Sequence, residues 1–152
     1  MTESQQPDSD RRTGTQAVID KMLTERQEML VLFSKVAGLE PFAGHRASVD
    51  DLREFSQILV DYIATAHFGI YERIAEGKER RQRVLDVAAS IYAQVQVVTD
   101  EVIGFNDRYE SAAGPGLPPS LTSDLSRLGE HLATRIELED RLLAAMLPGA
   151  SE

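Results

Sequence analysis

The chain has 152 residues, enough for one domain whose core needs no covalent staple, and no cysteine, which excludes disulfides, thiolate metal sites and cysteine nucleophiles. Asp plus Glu number 25 against 16 Lys plus Arg, and the formal charge of -9 repels phosphate backbones, favouring a basic protein partner over nucleic acid. No apolar run approaches the ~20 residues that span a bilayer, and the start, Met1-Thr-Glu-Ser-Gln-Gln-Pro-Asp-Ser-Asp10, lacks a signal peptide's apolar stretch, so the expectation is a soluble, cytoplasmic protein without membrane contact.

Residues 1–14 are polar and include Pro7 and Gly14, the composition of a disordered tail. Thr15 is a candidate cap, and Val18, Met22, Leu23, Met29, Leu30, Phe33 and Val36 follow at helical spacing. A first helix is predicted over about 16–37, stopped by Gly38 and Pro41. Residues 38–47 connect it to a second helix, which Ser48 begins, with Asp50 and Asp51 in the first turn where the helix dipole favours acids. That helix should run to about Glu76 and end at Gly77. Its buried stripe is Leu52, Phe55, Leu59, Tyr62, Ile63, Ala66, Ile70 and Ile74. Gly69, inside it, signals close packing or a slight bend.

Lys78-Glu-Arg-Arg-Gln-Arg83 is the one basic cluster, and it reads as a solvated helix start, with a small-anion contact as the alternative. A third helix then carries Val84, Ala88, Ile91, Tyr92, Val95, Val98, Val102, Ile103 and Phe105 to about Ser111. Its β-branched residues lower helix propensity, but a strand there would have no partner. Gly114-Pro-Gly-Leu-Pro-Pro119 is a break. A last helix follows with Leu121, Leu125, Leu128, Leu132, Ile136, Leu142, Leu143 and Met146 on one side, before Pro148 and Gly149. Four long helical patterns with short connectors predict an all-α, antiparallel four-helix bundle, one domain over 15–148.

Chemistry finds little support in the residues. A di-iron bundle needs Glu three positions before His. Phe42, Ala64 and Leu128 precede His45, His67 and His131 instead. Neither a metal nor another cofactor is expected, nor any Gly-rich phosphate loop or nucleophile elbow, so an enzyme is not expected. Arg135, Glu137, Glu139 and Asp140 read as a solvated face with local ion pairs. The second helix carries the informative surface: Asp50, Glu54, Asp61, Thr65, Phe68 and Glu72 recur at three- and four-residue steps or their multiples, acidic with one aromatic. Phe68 is either a contact residue or tucked beneath a neighbouring helix, and His67 and Tyr71, one turn apart, read from the residues alone as packed.

Leu59-Val-Asp-Tyr62, followed by His67-Phe68-x-Ile70-Tyr-Glu-Arg-Ile74, resembles the signature of the Rsd/AlgQ family, regulators of sigma D. Arg135-x-x-Leu138-Glu-Asp140-x-Leu142 is similar to the family's closing motif, and Ile19-Asp20, Leu23, Arg26, Leu30-Val31 and Gly38-x-x-Pro41 agree with its first helix. The chain departs from the family at Met22, where members carry a Trp. The resemblance implies a helical bundle that binds the C-terminal, DNA-reading domain of the primary sigma factor. Binding would keep that domain from core RNA polymerase and the -35 element, favouring alternative sigma factors in stationary phase. By matching position it makes Asp61, His67, Phe68, Tyr71 and Glu72 contact candidates, beside Asp50, Glu54 and Thr65 of the same stripe. An acidic stripe with an aromatic anchor is the complement of a basic DNA-reading domain. A monomer or weak dimer is expected. The other readings are a bundle that binds a small ligand or cofactor, and a scaffold that acts by self-association.

Overall fold

The computed structural model describes residues 6–111 and 116–147, with side chains from Gly14 onward. Its elements are α1 (Gln6–Ala37), α2 (Val49–Ala66), a π turn (His67–Tyr71), α3 (Glu72–Ala75), α4 (Gln82–Tyr109) and α5 (Leu121–Met146). The π turn and α3 continue α2, so the chain makes four rods of alternating direction. α1 lies chiefly on α2 and α4 chiefly on α5, and the described chain is an antiparallel four-helix bundle.

α1 starts ten residues ahead of the start predicted at Gln16. Pro7 sits in its first turn, where a missing N–H leaves no intrahelical bond unmade. Of the expected tail, residues 1–5 lie outside the described residues, as do Gly114 and Pro115 of the predicted break and the stop at Pro148 and Gly149.

The predicted stops and starts follow local chemistry. Gly38 takes φ 72° and Gly77 φ 78°, the left-handed conformation that glycine adopts without a Cβ penalty. Leu39 N–H then reaches back to Ser34 C=O at 2.9 Å, and Lys78 N–H to Arg73 C=O at 3.0 Å, closing both helices. Ser48 and Asp51 form a reciprocal capping box: Asp51 N–H donates to Ser48 Oγ at 3.1 Å, and Ser48 N–H donates to Asp51 Oδ2 at 2.9 Å. Asp51 also takes His45 Nε2 at 2.8 Å and Lys35 Nζ at 3.3 Å. The bond from His45, outweighing partial burial, holds its carboxyl at about 2.

The buried stripe of α2 is the predicted one, with Ile74 of α3 only half-buried. An aromatic spine crosses the bundle: Phe33 of α1 stands 5.8 Å from Phe55 of α2, Phe55 stands 6.1 Å from Phe105 of α4, and Phe105 stands 4.8 Å from Tyr109. Each such pair adds about 0.5–1.5 kcal/mol beyond its burial. Val84, Val95, Val98 and Val102 are buried helical residues of α4, so tertiary packing overrides their weak helix propensity. Met22, where the resemblance implies a Trp, is fully buried. It fills core space in this chain and offers no surface contact.

Candidate functional site

The π turn organises the candidate surface. Glu72 N–H bonds to His67 C=O, five residues back, so one extra residue is accommodated within the turn. Packing explains the position. A Cβ on Gly69 would fall well inside contact distance of Val18 Cγ1 on α1. A side chain there would force Val18 to shift, and the close packing expected at Gly69 is present.

On the outer side of this turn, Phe68 is 61% exposed, and the His67 ring meets it edge-on at 4.8 Å. Phe68 is therefore not tucked beneath a neighbouring helix, and His67 is exposed rather than packed. Val60 is exposed on the same rod. Asp50 and Glu54 are exposed near the start of α2, while Asp61, Thr65 and Glu72 are half-buried. Asp61 accepts a bond from Gln57 Nε2 at 3.1 Å, one turn earlier, which orients the carboxylate. Tyr92, Val97 and Ile103 are also exposed, but on α4.

The inner side of the turn carries Tyr71. Its hydroxyl is buried without a hydrogen-bond partner among the described residues. Burial, reinforced by the Glu139 charge and only partly offset by Arg135, pushes this hydroxyl far up, so it stays protonated. Among the contact candidates, Tyr71 buries its polar end in the bundle.

Below Tyr71 lies a buried polar cluster that sequence reasoning placed on the surface. Arg135 is 1% exposed and Glu139 is 2% exposed. The expected solvated face is thus corrected at these two positions, and Glu137 and Asp140 are the members of it that are exposed. Arg135 Nε donates to Glu139 Oε2 at 2.8 Å, and Arg135 Nη1 donates to Thr99 Oγ1 at 2.9 Å. Its guanidinium lies 5.8 Å from the ring centres of both Tyr62 and Tyr71. Tyr62 donates its hydroxyl to Glu139 Oε1, and Arg26 of α1 reaches Glu139 at 3.5 Å and Asp140 at 2.9 Å. The cluster joins all four rods. An i,i+4 Arg–Glu pair carries the same spacing whether it faces water or core, so the sequence held no signal for it.

The basic cluster does more than the sequence predicted. Arg81 Nη1 donates to Met146 C=O at 2.8 Å, and Arg83 Nε donates to Ala145 C=O at 2.8 Å. These two cations cap the negative end of α5, while Lys78, Arg80 and Arg83 stand exposed at or just before the start of α4, as predicted. Glu79 braces Arg81 through Nε and Nη2 at 3.0 Å each. Burial would raise the Glu79 carboxyl, but its bonds from Arg81 outweigh that and hold it below its ordinary value.

Among the described residues no group of three or more His, Asp or Glu could hold a metal ion, and no helix is long and apolar enough to cross a membrane.

The surface lies on the segment 59–74 and the buried cluster on 135–142, both of them stretches that resemble one family. Residues 1–147 match the model of the family described as Regulator of RNA polymerase sigma(70) subunit, Rsd/AlgQ. The chain belongs to the Rsd/AlgQ family. It is similar to a protein named Regulator of sigma D from Enterobacter sp. (strain 638), 32% identical over 142 residues, covering 91% of this chain and 86% of that one. Proteins of the same name from Shigella dysenteriae serotype 1 and Escherichia coli (strain K12 / DH10B) are each 31% identical over 145 residues, covering 93% of this chain and 91% of theirs. No solved structure matches it. Within this Rsd/AlgQ chain, Leu59, Tyr62, Ile70, Leu138 and Leu142 of the two motifs are core residues, as is Glu139, while the apolar motif residues Val60 and Phe68 are left to solvent, Phe68 the more exposed.

Proposed function

We propose that this Rsd/AlgQ protein is a cytoplasmic anti-sigma factor. It binds the C-terminal, -35-reading domain of the primary sigma factor and withholds it from core polymerase and promoter DNA. The observation that carries the reading is the exposed Phe68, held on a π turn in a rod that also presents Asp50, Glu54 and Asp61. A large apolar ring beside carboxylates matches a basic helical domain with an apolar spot between its cations. Phe68 supplies the anchor, Asp61 pairs with an Arg or Lys of sigma, and Asp50, Glu54, Thr65, His67 and Glu72 extend the contact along the rod. Tyr71 supports the turn from behind. The protein acts by occupying a surface, without catalysis.

The test is isothermal titration of the purified sigma C-terminal domain with Asp61→Ala, Phe68→Ala and Leu59→Ala proteins. Asp61 is half-buried and accepts a bond from Gln57 one turn earlier, so Asp61→Ala should cost no more than about 1 kcal/mol of folding stability. It should nevertheless weaken binding by about 2–5 kcal/mol, as expected when a desolvated charge loses its partner. Phe68→Ala should cost about 2 kcal/mol of binding or more. Leu59→Ala should do the opposite, costing about 2–5 kcal/mol of stability through the cavity it leaves. Normal binding by folded Asp61→Ala and Phe68→Ala proteins would remove this face as the interface.

A further inference from the structure

A cleft of about 590 Å³ opens where α1, the π turn, α3, the 78–81 connector, the start of α4 and the end of α5 meet. Its floor is apolar, formed by Ile19, Ile70, Ile74 and Met146. Its walls carry five cations, Arg73, Lys78, Arg80, Arg81 and Arg83, against one carboxylate, Glu79. In a chain of net charge -9 this is a strong local reversal of sign.

The cations differ in how far they are already engaged. Arg81 spends its Nε and Nη2 on Glu79 and its Nη1 on Met146 C=O, which also neutralises Glu79. Arg83 is anchored through Nε alone, leaving the two outer nitrogens of its fork unbonded among the described residues. Lys78 has only Glu76, at an exposed 3.0 Å contact. Arg73 is half-buried and Arg80 exposed, and neither side chain has a partner among the described residues. A half-buried guanidinium without a counter-charge is costly unless something supplies one. At the start of α4 the Glu79 carboxylate also accepts the Arg81 N–H at 2.8 Å, so the one acid of the cleft is already engaged by the helix end and by Arg81.

We propose that this cleft binds a small phosphorylated molecule, with its phosphates held by Arg73, Arg80 and Arg83 and its organic part laid on the Ile19–Ile70–Ile74 floor. Guanidinium forks match phosphate oxygens in pairs, and the volume lies within the range of small-molecule sites. The site is distinct from the sigma-binding face and does not depend on that reading. Arg83 needs no new bracing, because the α5 carbonyl already fixes its orientation.

The experiment titrates the full-length protein with ATP and with inorganic pyrophosphate by calorimetry, at ionic strength held constant with sodium chloride. Binding of either above the chloride baseline is expected. ATP binding about tenfold tighter than pyrophosphate would give the apolar floor a part, and equal affinities would assign recognition to the phosphates alone. Arg73→Ala and Arg80→Ala are the informative variants, since each side chain lacks a described partner and the fold should persist by circular dichroism. Each should weaken binding about tenfold or more, the scale of one lost charge-assisted bond. Heat signals no larger than the chloride control for both compounds would overturn the proposal. So would a folded Arg73→Ala/Arg80→Ala protein that binds as tightly as the parent.

Discussion

Replacing Arg135 by methionine should cost about 3–5 kcal/mol of folding stability, because it leaves the Glu139 carboxylate buried without its main partner. The magnitude rests on the geometry. Arg135 and Glu139 are almost wholly buried, and the guanidinium bonds Glu139 at 2.8 Å and Thr99 at 2.9 Å while stacking against Tyr62 and Tyr71. Methionine fills part of the volume but restores no donor. Tyr62 and the distant Arg26 contact at 3.5 Å cannot alone compensate a buried charge. For a chain of this size such a loss lowers the melting temperature by about 6–20 °C. The decisive comparison is the double variant Arg135→Met/Glu139→Leu. It removes more polar bonds, yet it also removes the uncompensated charge, so it should be more stable than Arg135→Met alone. Urea unfolding followed by helical circular dichroism measures both. A loss below about 1 kcal/mol for Arg135→Met, or a double variant that loses the sum of the two single changes, would refute a charge pair sealed from water.

Gly69→Ala should destabilise the fold by about 1–3 kcal/mol, since its Cβ meets Val18, and Val18→Ala in the same chain should recover much of that loss. The acid limb of stability should depend on Asp51. Its carboxyl sits at about 2 in the fold, below the ordinary value of 3.8, so its contribution is complete above pH ~4 and fades as pH falls through about 2. Thermal melts across that range should show a shallower loss for Asp51→Asn, and an unchanged slope would mean the His45 and Lys35 contacts do not matter. Affinity for the sigma domain should fall steeply between low and high salt, because the proposed pairing is between opposite charges screened over ~8–10 Å at physiological ionic strength. A flat profile would leave the carboxylates of α2 without a role in binding.

Elements that depend on neighbours in the chain were legible in the sequence. The capping box at Ser48, the left-handed stops at Gly38 and Gly77 and the buried stripe of α2 all follow from rules spanning a few residues. The family resemblance was legible too, because its motifs lie on single rods. Tertiary structure alone decided which side of a polar pattern met water. Arg135 and Glu139 keep the spacing of a surface pair, and only the approach of Tyr62, Thr99 and Arg26 from three other rods buries them. The same holds for Arg81 and Arg83, whose acceptors are carbonyls more than sixty residues away. Gly69 announced a close approach, but not that Val18 would be the neighbour, nor that the turn would widen to present Phe68 outward and Tyr71 inward. Local periodicity carries a residue's angle around its own helix. Its partner is set by how the rods stack, and that information is spread over the whole chain.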